Sequence, residues 1–132
     1  MSFLLDTDIC SAHLRQKGVV TNRFLQHTGG LFISTITLGE LYTWTLRKSA
    51  PPKRLQGLRD MLNDVTVLDV TKDIAEKFGR LQAELFEVGS PAPGMDLMIA
   101  ATAFVHNLTL VTHNREDYAN IPDLRIVDWT VT

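Results

Sequence analysis

Cysteine is nearly absent from this chain, and long apolar runs are absent altogether. Cys10 is the only cysteine among 132 residues, so no internal disulfide can form, and we expect a small buried apolar side chain there, in a reducing compartment. No apolar run approaches the roughly 20 residues that a membrane span needs. The first residues carry neither the basic start nor the small-residue cleavage site of a secretory signal. We therefore expect a cytoplasmic protein without a membrane segment.

Strong charge bias, internal repeats, low-complexity tracts and linker-like stretches are also lacking. The formal net charge of -2 neither favours nor excludes a nucleic-acid partner, because local clusters of charge matter more than the sum. Hydrophobic residues make up 45% of the sequence, which is ample for the core of one domain of this length. We expect a single domain over residues 1–132.

Short apolar runs alternate with longer helical patterns along the whole chain. Strands are predicted at 3–5, 31–33, 65–68, 108–111 and 125–127, and helices at 9–14, 19–26, 36–47, 52–62, 72–88 and 95–105. Strands separated by helices favour right-handed crossovers and a parallel sheet covered on both faces. The predicted fold is a three-layer α/β/α domain with a central, mainly parallel sheet of four to five strands.

Acidic residues follow the predicted strands or open the predicted helices. Asp6 and Asp8 come directly after the first strand, and Glu40 lies early in the helix after the second. Asp96 opens the apolar helix at 95–105, and a polar turn containing Asp117 follows the fourth strand. The carboxyl ends of parallel strands share one edge of a sheet, which is where ligands bind. We expect these side chains to lie together.

Each acid also has a purely structural explanation. Asp6 or Asp8 could cap the first helix, and Thr37 with Glu40 has the spacing of a capping box. Asp96 could favour the positive end of its helix. Asn114, three residues before an aspartate, could be another helix cap. These explanations stay open for the residues taken one by one.

The acids as a set favour a metal site. Carboxylates a few ångströms apart repel one another and raise pKa values unless cations lie between them. A partly open cluster of hard oxygen ligands suits Mg²⁺, with Mn²⁺ as a substitute. The sequence has no cysteine–histidine set of the kind that binds zinc.

A basic stretch follows the second strand and its acidic helix. Residues 41–59 contain no acid but several basic residues. Two interpretations are open: an RNA-binding flank with Tyr42 and Trp44 stacking on bases, or a solvated helical hairpin with both aromatics in the core. His113 and Arg115 could contact phosphate or lie in an ordinary surface loop. The candidate RNA-binding residues are Arg47, Lys48, Lys53, Arg54, His113 and Arg115.

Five ordered blocks of the sequence resemble the PIN-domain ribonucleases, and more narrowly the VapC-type toxins of bacterial toxin–antitoxin pairs. The resemblance covers the whole chain, in order and at the expected spacing. The blocks are FLLDTD at residues 3–8, ISTITLGEL at 33–41, MDLMIAATA at 95–103, LVTHNREDY at 110–118 and LRIVDW at 124–129.

The resemblance implies an Mg²⁺-dependent endoribonuclease. Its catalytic acids would be Asp6, Glu40, Asp96 and Asp117, with Asp6 and Asp96 holding metal and either Asn114 or Asp117 as a further ligand. Thr7, Thr112 and Asn114 would support the carboxylates. Many relatives have asparagine where this chain has Asp8, and some have aspartate where it has Asn114. The implied partners are RNA and a VapB-type antitoxin, in a homodimer and a toxin–antitoxin hetero-oligomer. The resemblance also implies a third interpretation of the basic stretch, in which its helical pair helps to clasp the antitoxin and one surface serves both partners.

Two other classes fit parts of the sequence. Asp6-Thr7-Asp8 also resembles the start of a haloacid-dehalogenase-type phosphohydrolase. Members of that class carry threonine or valine at the position of Cys10. The class also needs a late acidic pair that the sequence does not offer. A non-catalytic binding module could use the same sheet edge.

Overall fold

In a computed structural model of the chain, which describes residues 1–16 and 18–131, five parallel strands form one sheet. The strands are β1 (Phe3–Leu5), β2 (Leu31–Ser34), β3 (Thr66–Leu68), β4 (Thr109–Val111) and β5 (Ile126–Val127). Their spatial order is β3-β2-β1-β4-β5, and every neighbouring pair is parallel. The strand order therefore reverses between β1 and β4. This switch point is where an open α/β sheet binds its ligands.

Helices connect the strands and cover both faces of the sheet. They are α1 (Thr7–Leu14), α2 (Gly18–Gln26), α3 (Thr35–Leu46), α4 (Pro52–Leu62), α5 (Lys72–Glu87) and α6 (Gly94–Val105), with a 3-10 helix at Arg115–Tyr118. The predicted three-layer α/β/α fold is confirmed. Most predicted boundaries are correct to within a residue or two; α1 begins two residues earlier than predicted because Asp6 caps it.

Alternation along the strands produces two hydrophobic layers. Phe3 and Leu5 of β1 join the core beneath α1, α2 and α4, whereas Leu4 joins the core beneath α5 and α6. Successive strand side chains point to opposite faces of the sheet, so each strand anchors both layers. Cys10 is fully buried in the first layer, as predicted.

No helix among the residues that the structure describes is long and apolar enough to cross a membrane. The helix α6 is apolar on nearly all sides because it packs deep in the second layer, where Leu97, Ala100 and Ala101 are completely buried. This burial fixes the start of α6, and Asp96 with it, at the carboxyl edge of the sheet.

Candidate active site

Asp6 is held rigidly where β1 ends. Its backbone N–H donates to the carbonyl of Val111 at 3.1 Å, which ties it to the end of β4. Its carboxylate accepts from the Ile9 amide at 3.0 Å and so caps α1. The residue is only 5% exposed. The structural explanation of Asp6 as a cap is therefore correct, but capping does not require a carboxylate to be buried at a switch point.

Glu40 reaches the same edge from α3. Ser34 caps this helix by accepting from the Ile36 amide at 3.0 Å. The Thr7 hydroxyl donates to Glu40 Oε1 at 2.5 Å. The predicted capping box between Thr37 and Glu40 is wrong: Thr37 already lies inside the helix, and the Glu40 carboxylate binds a side chain of α1.

Asp96 lies in the first turn of α6, as predicted. The cap position is Pro93, which offers no side-chain hydrogen bond. Asp96 is half-buried, and its negative charge is favourable near the positive end of the helix. That favourable interaction explains an acid at this position. It does not explain why other acids lie close to it.

The turn after β4 brings three more polar residues. Thr112 is buried, and its hydroxyl accepts from the Asn114 amide at 3.1 Å. Asn114 occupies the cap position of the 3-10 helix, but its side chain does not cap it. Instead, Asn114 Nδ2 donates to Asp8 Oδ2. Asp117 lies within the 3-10 helix.

These residues line one small pocket of about 110 Å³. No arginine or lysine contributes to its wall among residues 1–16 and 18–131. The structure thus brings together residues that are far apart in the sequence but were predicted to meet. The lining residues are Asp6, Thr7, Asp8, Glu40, Asp96, Ile99, Asn114, Asp117 and Tyr118.

Within the described part of the chain, the pocket is a cluster of acids that no basic side chain neutralises. Burial raises the pKa of Asp6 to about 6; hydrogen bonds from Thr112 and the Ile9 amide lower it in part, and the charges of Asp8 and Asp96 raise it. The pKa of Asp96 is raised by burial, and further by Asp117, Glu40 and Asp8. A cation among these groups would favour their ionised forms and relieve both effects.

The donor set fits a divalent metal. Among the residues that the structure describes, no three acidic, histidine or cysteine side chains converge tightly enough to enclose an ion directly. Mg²⁺ does not need such a cage, because it binds through one or two carboxylates and keeps several waters. Asp6 is buried and Asp96 is half-buried, and both have raised pKa values. They would hold the ion, with Asp8, Asn114 or Asp117 at its open side.

Other predicted residues lie outside this pocket. His113 is exposed, and its Nδ1 faces Asp128 Oδ2 at 3.2 Å and the Thr130 hydroxyl at 2.8 Å. Arg115 is also exposed, in the 3-10 helix. Neither side chain lines the pocket.

The predicted basic flank is divided by the structure. Arg47 and Lys48 are exposed where α3 ends, whereas Lys53 and Arg54 line a separate cleft. The two nearby aromatics differ as well. Tyr42 packs against the first core layer, and Trp44 lines the cleft.

Sequence reasoning assigned no role to Tyr118. It is buried beneath the turn after β4 and lines the acidic pocket. Burial raises the pKa of its phenol, and the charges of Asp6, Asp96, Asp117 and Glu40 raise it further. Its ring anchors the 3-10 helix in the second core layer and so positions the neighbouring Asp117. The only sequence signal was an aromatic residue beside a candidate acid.

Comparison with known proteins shows the family to which the chain belongs. The PIN domain profile matches residues 3–124. The chain is 34% identical to a tRNA(fMet)-specific endonuclease VapC of Salmonella typhimurium, with 98% of both chains covered. It is also 30% identical to ribonuclease VapC2 of Haemophilus influenzae, again over 98% of both. The chain belongs to the PIN-domain family, among its VapC-type ribonucleases.

Solved VapC-type structures have the same fold. A chain in the DNA-bound VapBC structure from Salmonella typhimurium matches with a TM-score of 0.90 at 34% identity, covering 98% of each chain. A chain in the DNA-bound VapBC2 structure from Rickettsia felis matches with a TM-score of 0.88 at 26% identity, covering 98% of this chain and 99% of that one. The resemblance to PIN-domain ribonucleases is confirmed, and it replaces the phosphohydrolase alternative.

Proposed function

We propose that this VapC-type ribonuclease is an Mg²⁺-dependent endoribonuclease, the toxin of a type II toxin–antitoxin pair, and that it cleaves RNA at the acidic pocket. The observation that carries the proposal is the convergence of Asp6, Asp8, Glu40, Asp96 and Asp117 on a pocket that no basic residue of the described part of the chain lines. Carboxylates this close together repel one another unless a cation lies between them, and a divalent cation supplies that charge. Binding alone does not require so many carboxylates.

The side chains of the chain have distinct roles in this proposal. Asp6, fixed by the Ile9 amide and by Thr112, and Asp96, fixed by α6, would hold the ion. Glu40, fixed by Thr7, would be a further ligand or would orient the attacking water. When bound, Mg²⁺ lowers the pKa of a bound water and neutralises charge on the phosphoryl oxygens.

Hydrolysis adds a water oxygen to phosphorus, breaks the bond to the leaving oxygen and returns a proton to it. Glu40 lies in the pocket wall beside Asp6 and Asp96, where its carboxylate can accept the proton of the attacking water. The Thr7 hydrogen bond to Oε1 leaves Oε2 for this contact.

The proposed partners follow from the relatives. The Salmonella relative is named a tRNA(fMet)-specific endonuclease, so we choose tRNA(fMet) as the first RNA to test. Chains similar to this one were solved in VapBC assemblies, which supports a VapB-type antitoxin as the partner. We also propose a homodimer and a cytoplasmic location. The single buried thiol of Cys10 is compatible with a reducing compartment.

Cleavage of RNA by purified protein tests the function. Protein freed of antitoxin is incubated with tRNA(fMet) and with a mixture of structured RNAs, in Mg²⁺ and in Mn²⁺. Asp96→Asn protein, shown to be folded by circular dichroism, is the comparison. We expect the wild-type protein to cut, and both chelator and Asp96→Asn to abolish cutting.

Two results would contradict the proposal. Equal cutting by wild-type and Asp96→Asn protein would place the activity elsewhere. No cutting of any RNA in either metal, together with no Mn²⁺ binding by calorimetry, would favour the non-catalytic binding module.

A further inference from the structure

A second concave site lies at the opposite end of α1 from the acidic pocket, and its charge is opposite. It is a cleft of about 720 Å³ between α1, α3 and α4. Arg15, Lys53 and Arg54 supply its charged lining, and no acid of the described residues does. Its floor is closed where the Leu14 side chain approaches Gly57. The volume is within the range of sites that hold a small organic molecule or a nucleotide.

An aromatic platform forms one wall of this basic cleft. The Arg54 guanidinium lies over the Trp44 ring, 4.7 Å from its centroid. Both side chains are only half-buried. Within the described residues, the side chains of Lys53 and Arg54 make no hydrogen bond or ion pair. Their donors are therefore available to an anionic ligand. A planar guanidinium held on an indole is also a surface on which nucleic-acid bases stack.

Two helices lead from the acidic pocket to the basic cleft. The helix α1 begins at Thr7 in the pocket and ends beside Arg15 in the cleft, a length of about 12 Å. On α3, Trp44 lies one helical turn beyond Glu40 and therefore on the same face. A single strand of RNA whose phosphate sits in the pocket can thus reach the cleft within a few nucleotides.

We propose that the basic cleft binds a nucleotide of single-stranded RNA a few nucleotides from the cleaved bond, with its phosphate on Lys53, Arg54 and Arg15 and its base on Trp44. The inference rests on the proposed ribonuclease function and deepens it. Positive charge without acids, combined with an aromatic ring, favours a polyanion with bases over a protein partner. Beyond Gly57, Asp60 and Asp64 line a neighbouring depression, which would repel the strand and confine it to the pocket side.

The two tryptophans of the chain allow a direct measurement. Trp129 is buried against Phe3, so Trp44 is the one whose emission would respond to a ligand in the cleft. Asp96→Asn protein is titrated with a mixed-sequence, single-stranded RNA ten nucleotides long, under conditions without cleavage. We expect saturable quenching of the emission. Trp44→Leu in the same background should abolish the quenching and weaken binding roughly five-fold or more.

Charge variants separate the cleft from general electrostatic attraction. Arg54→Ala and Lys53→Ala should each weaken RNA binding and reduce the salt slope by about one. Arg59→Ala is the matched control, because Arg59 is exposed on α4 but does not line the cleft. It should keep both the quenching and most of the affinity.

The outcome is independent of the cleavage assay. Quenching by RNA that Trp44→Leu removes would support the cleft even if wild-type protein cut no RNA, and the ribonuclease proposal alone would fail. Unchanged Trp44 emission at saturating RNA, or equal affinities of the Arg54→Ala and Arg59→Ala proteins, would overturn the cleft. The cleft would then be a candidate surface for a protein partner. Cleavage of RNA by the wild-type protein would still support the ribonuclease proposal.

Discussion

Asp6 has two structural consequences that oppose each other. Its oxygen stabilises α1 as a cap, but its charge is buried beside Asp8 and Asp96. A side chain that keeps the oxygen and loses the charge should separate the two effects. Asparagine is such a side chain, since it caps helices as well as aspartate does.

We predict that Asp6→Asn stabilises the metal-free protein at pH 7.5 by about 1 to 3 kcal/mol, because a pKa raised to about 6 makes the buried carboxylate costly to ionise. Asp6→Ala should increase the free energy of unfolding by a smaller amount, since loss of the helix cap destabilises the protein by about 1 kcal/mol. Urea unfolding in chelator measures both variants. Asp69→Asn, at an exposed aspartate that follows β3, is the control and should change little. Destabilisation by Asp6→Asn would refute the account.

Asp8 and Asn114 form a pair in which either partner could carry the charge. In this chain the first position carries a carboxylate and the second an amide, and the two side chains are hydrogen-bonded. The charge of Asp8 raises the pKa of both Asp6 and Asp96. Asp8 therefore contributes the carboxylate that the turn lacks at Asn114.

Exchanging these two residues tests the pair. Asp8→Asn should weaken Mn²⁺ binding about ten-fold or more and slow cleavage, because one carboxylate of the pocket is lost. Asp8→Asn combined with Asn114→Asp should recover much of both, since the charge returns on the other partner. Calorimetric titration with Mn²⁺ gives a measure that does not depend on activity. A double variant as weak as Asp8→Asn alone would show that the positions are not equivalent.

At the scale of the elements, local periodicity predicted most of the architecture. The apolar stripe of Ile74, Phe78, Leu81 and Leu85 predicted α5 to within a residue, because a helix face that packs on the core leaves a regular pattern. The same reasoning predicted that strand-end acids would meet, because a parallel sheet has one carboxyl edge. Neither inference needed knowledge of distant contacts.

Local spacing failed where a distant residue decides the contact. Thr37 and Glu40 have the spacing of a capping box, but Ser34 caps the helix and Thr7 of another helix binds Glu40. Tyr42 and Trp44 likewise looked equivalent in sequence. Residues two apart on a helix point to nearly opposite sides, so one of them entered the core and the other the cleft. Which element packs against each face of α3 is decided by the tertiary structure.

At the scale of the whole molecule, the acids of the pocket lower the free energy of unfolding because the fold brings their negative charges together. Asp6 is buried at the switch point of the sheet, and Asp96 is half-buried in the first turn of the apolar helix α6, so both carboxylates lose part of their hydration in the fold. The fold keeps these charges together because both backbones are fixed by the two core layers. The charged pocket should therefore lower the free energy of unfolding of the metal-free protein at neutral pH.

The pH dependence of unfolding follows from this arrangement. The pKa of Asp6 is 3.8 in its unperturbed state and about 6 in the fold. Between these values the folded protein binds more protons than the unfolded chain, so the contribution of Asp6 to the free energy of unfolding falls as pH rises and stays low above pH 6. The raised pKa of Asp96 acts in the same direction. The lowered pKa of Asp128, whose hydrogen bonds from Thr130 and His113 outweigh its burial, acts only at lower pH.

We predict that wild-type protein and Asp6→Asn have similar stability near pH 4 in chelator, and that the advantage of Asp6→Asn grows up to about pH 6 and then levels off. Added Mg²⁺ should reduce this advantage at pH 7.5, because an ion that binds only the folded state stabilises it, and the variant binds the ion less well. Urea unfolding at half-unit pH intervals, with chelator or with Mg²⁺, gives both curves. If the difference in the free energy of unfolding between the two proteins did not vary with pH, ionisation of Asp6 would not destabilise the folded protein. A difference that Mg²⁺ left unchanged would remove Asp6 from the metal site.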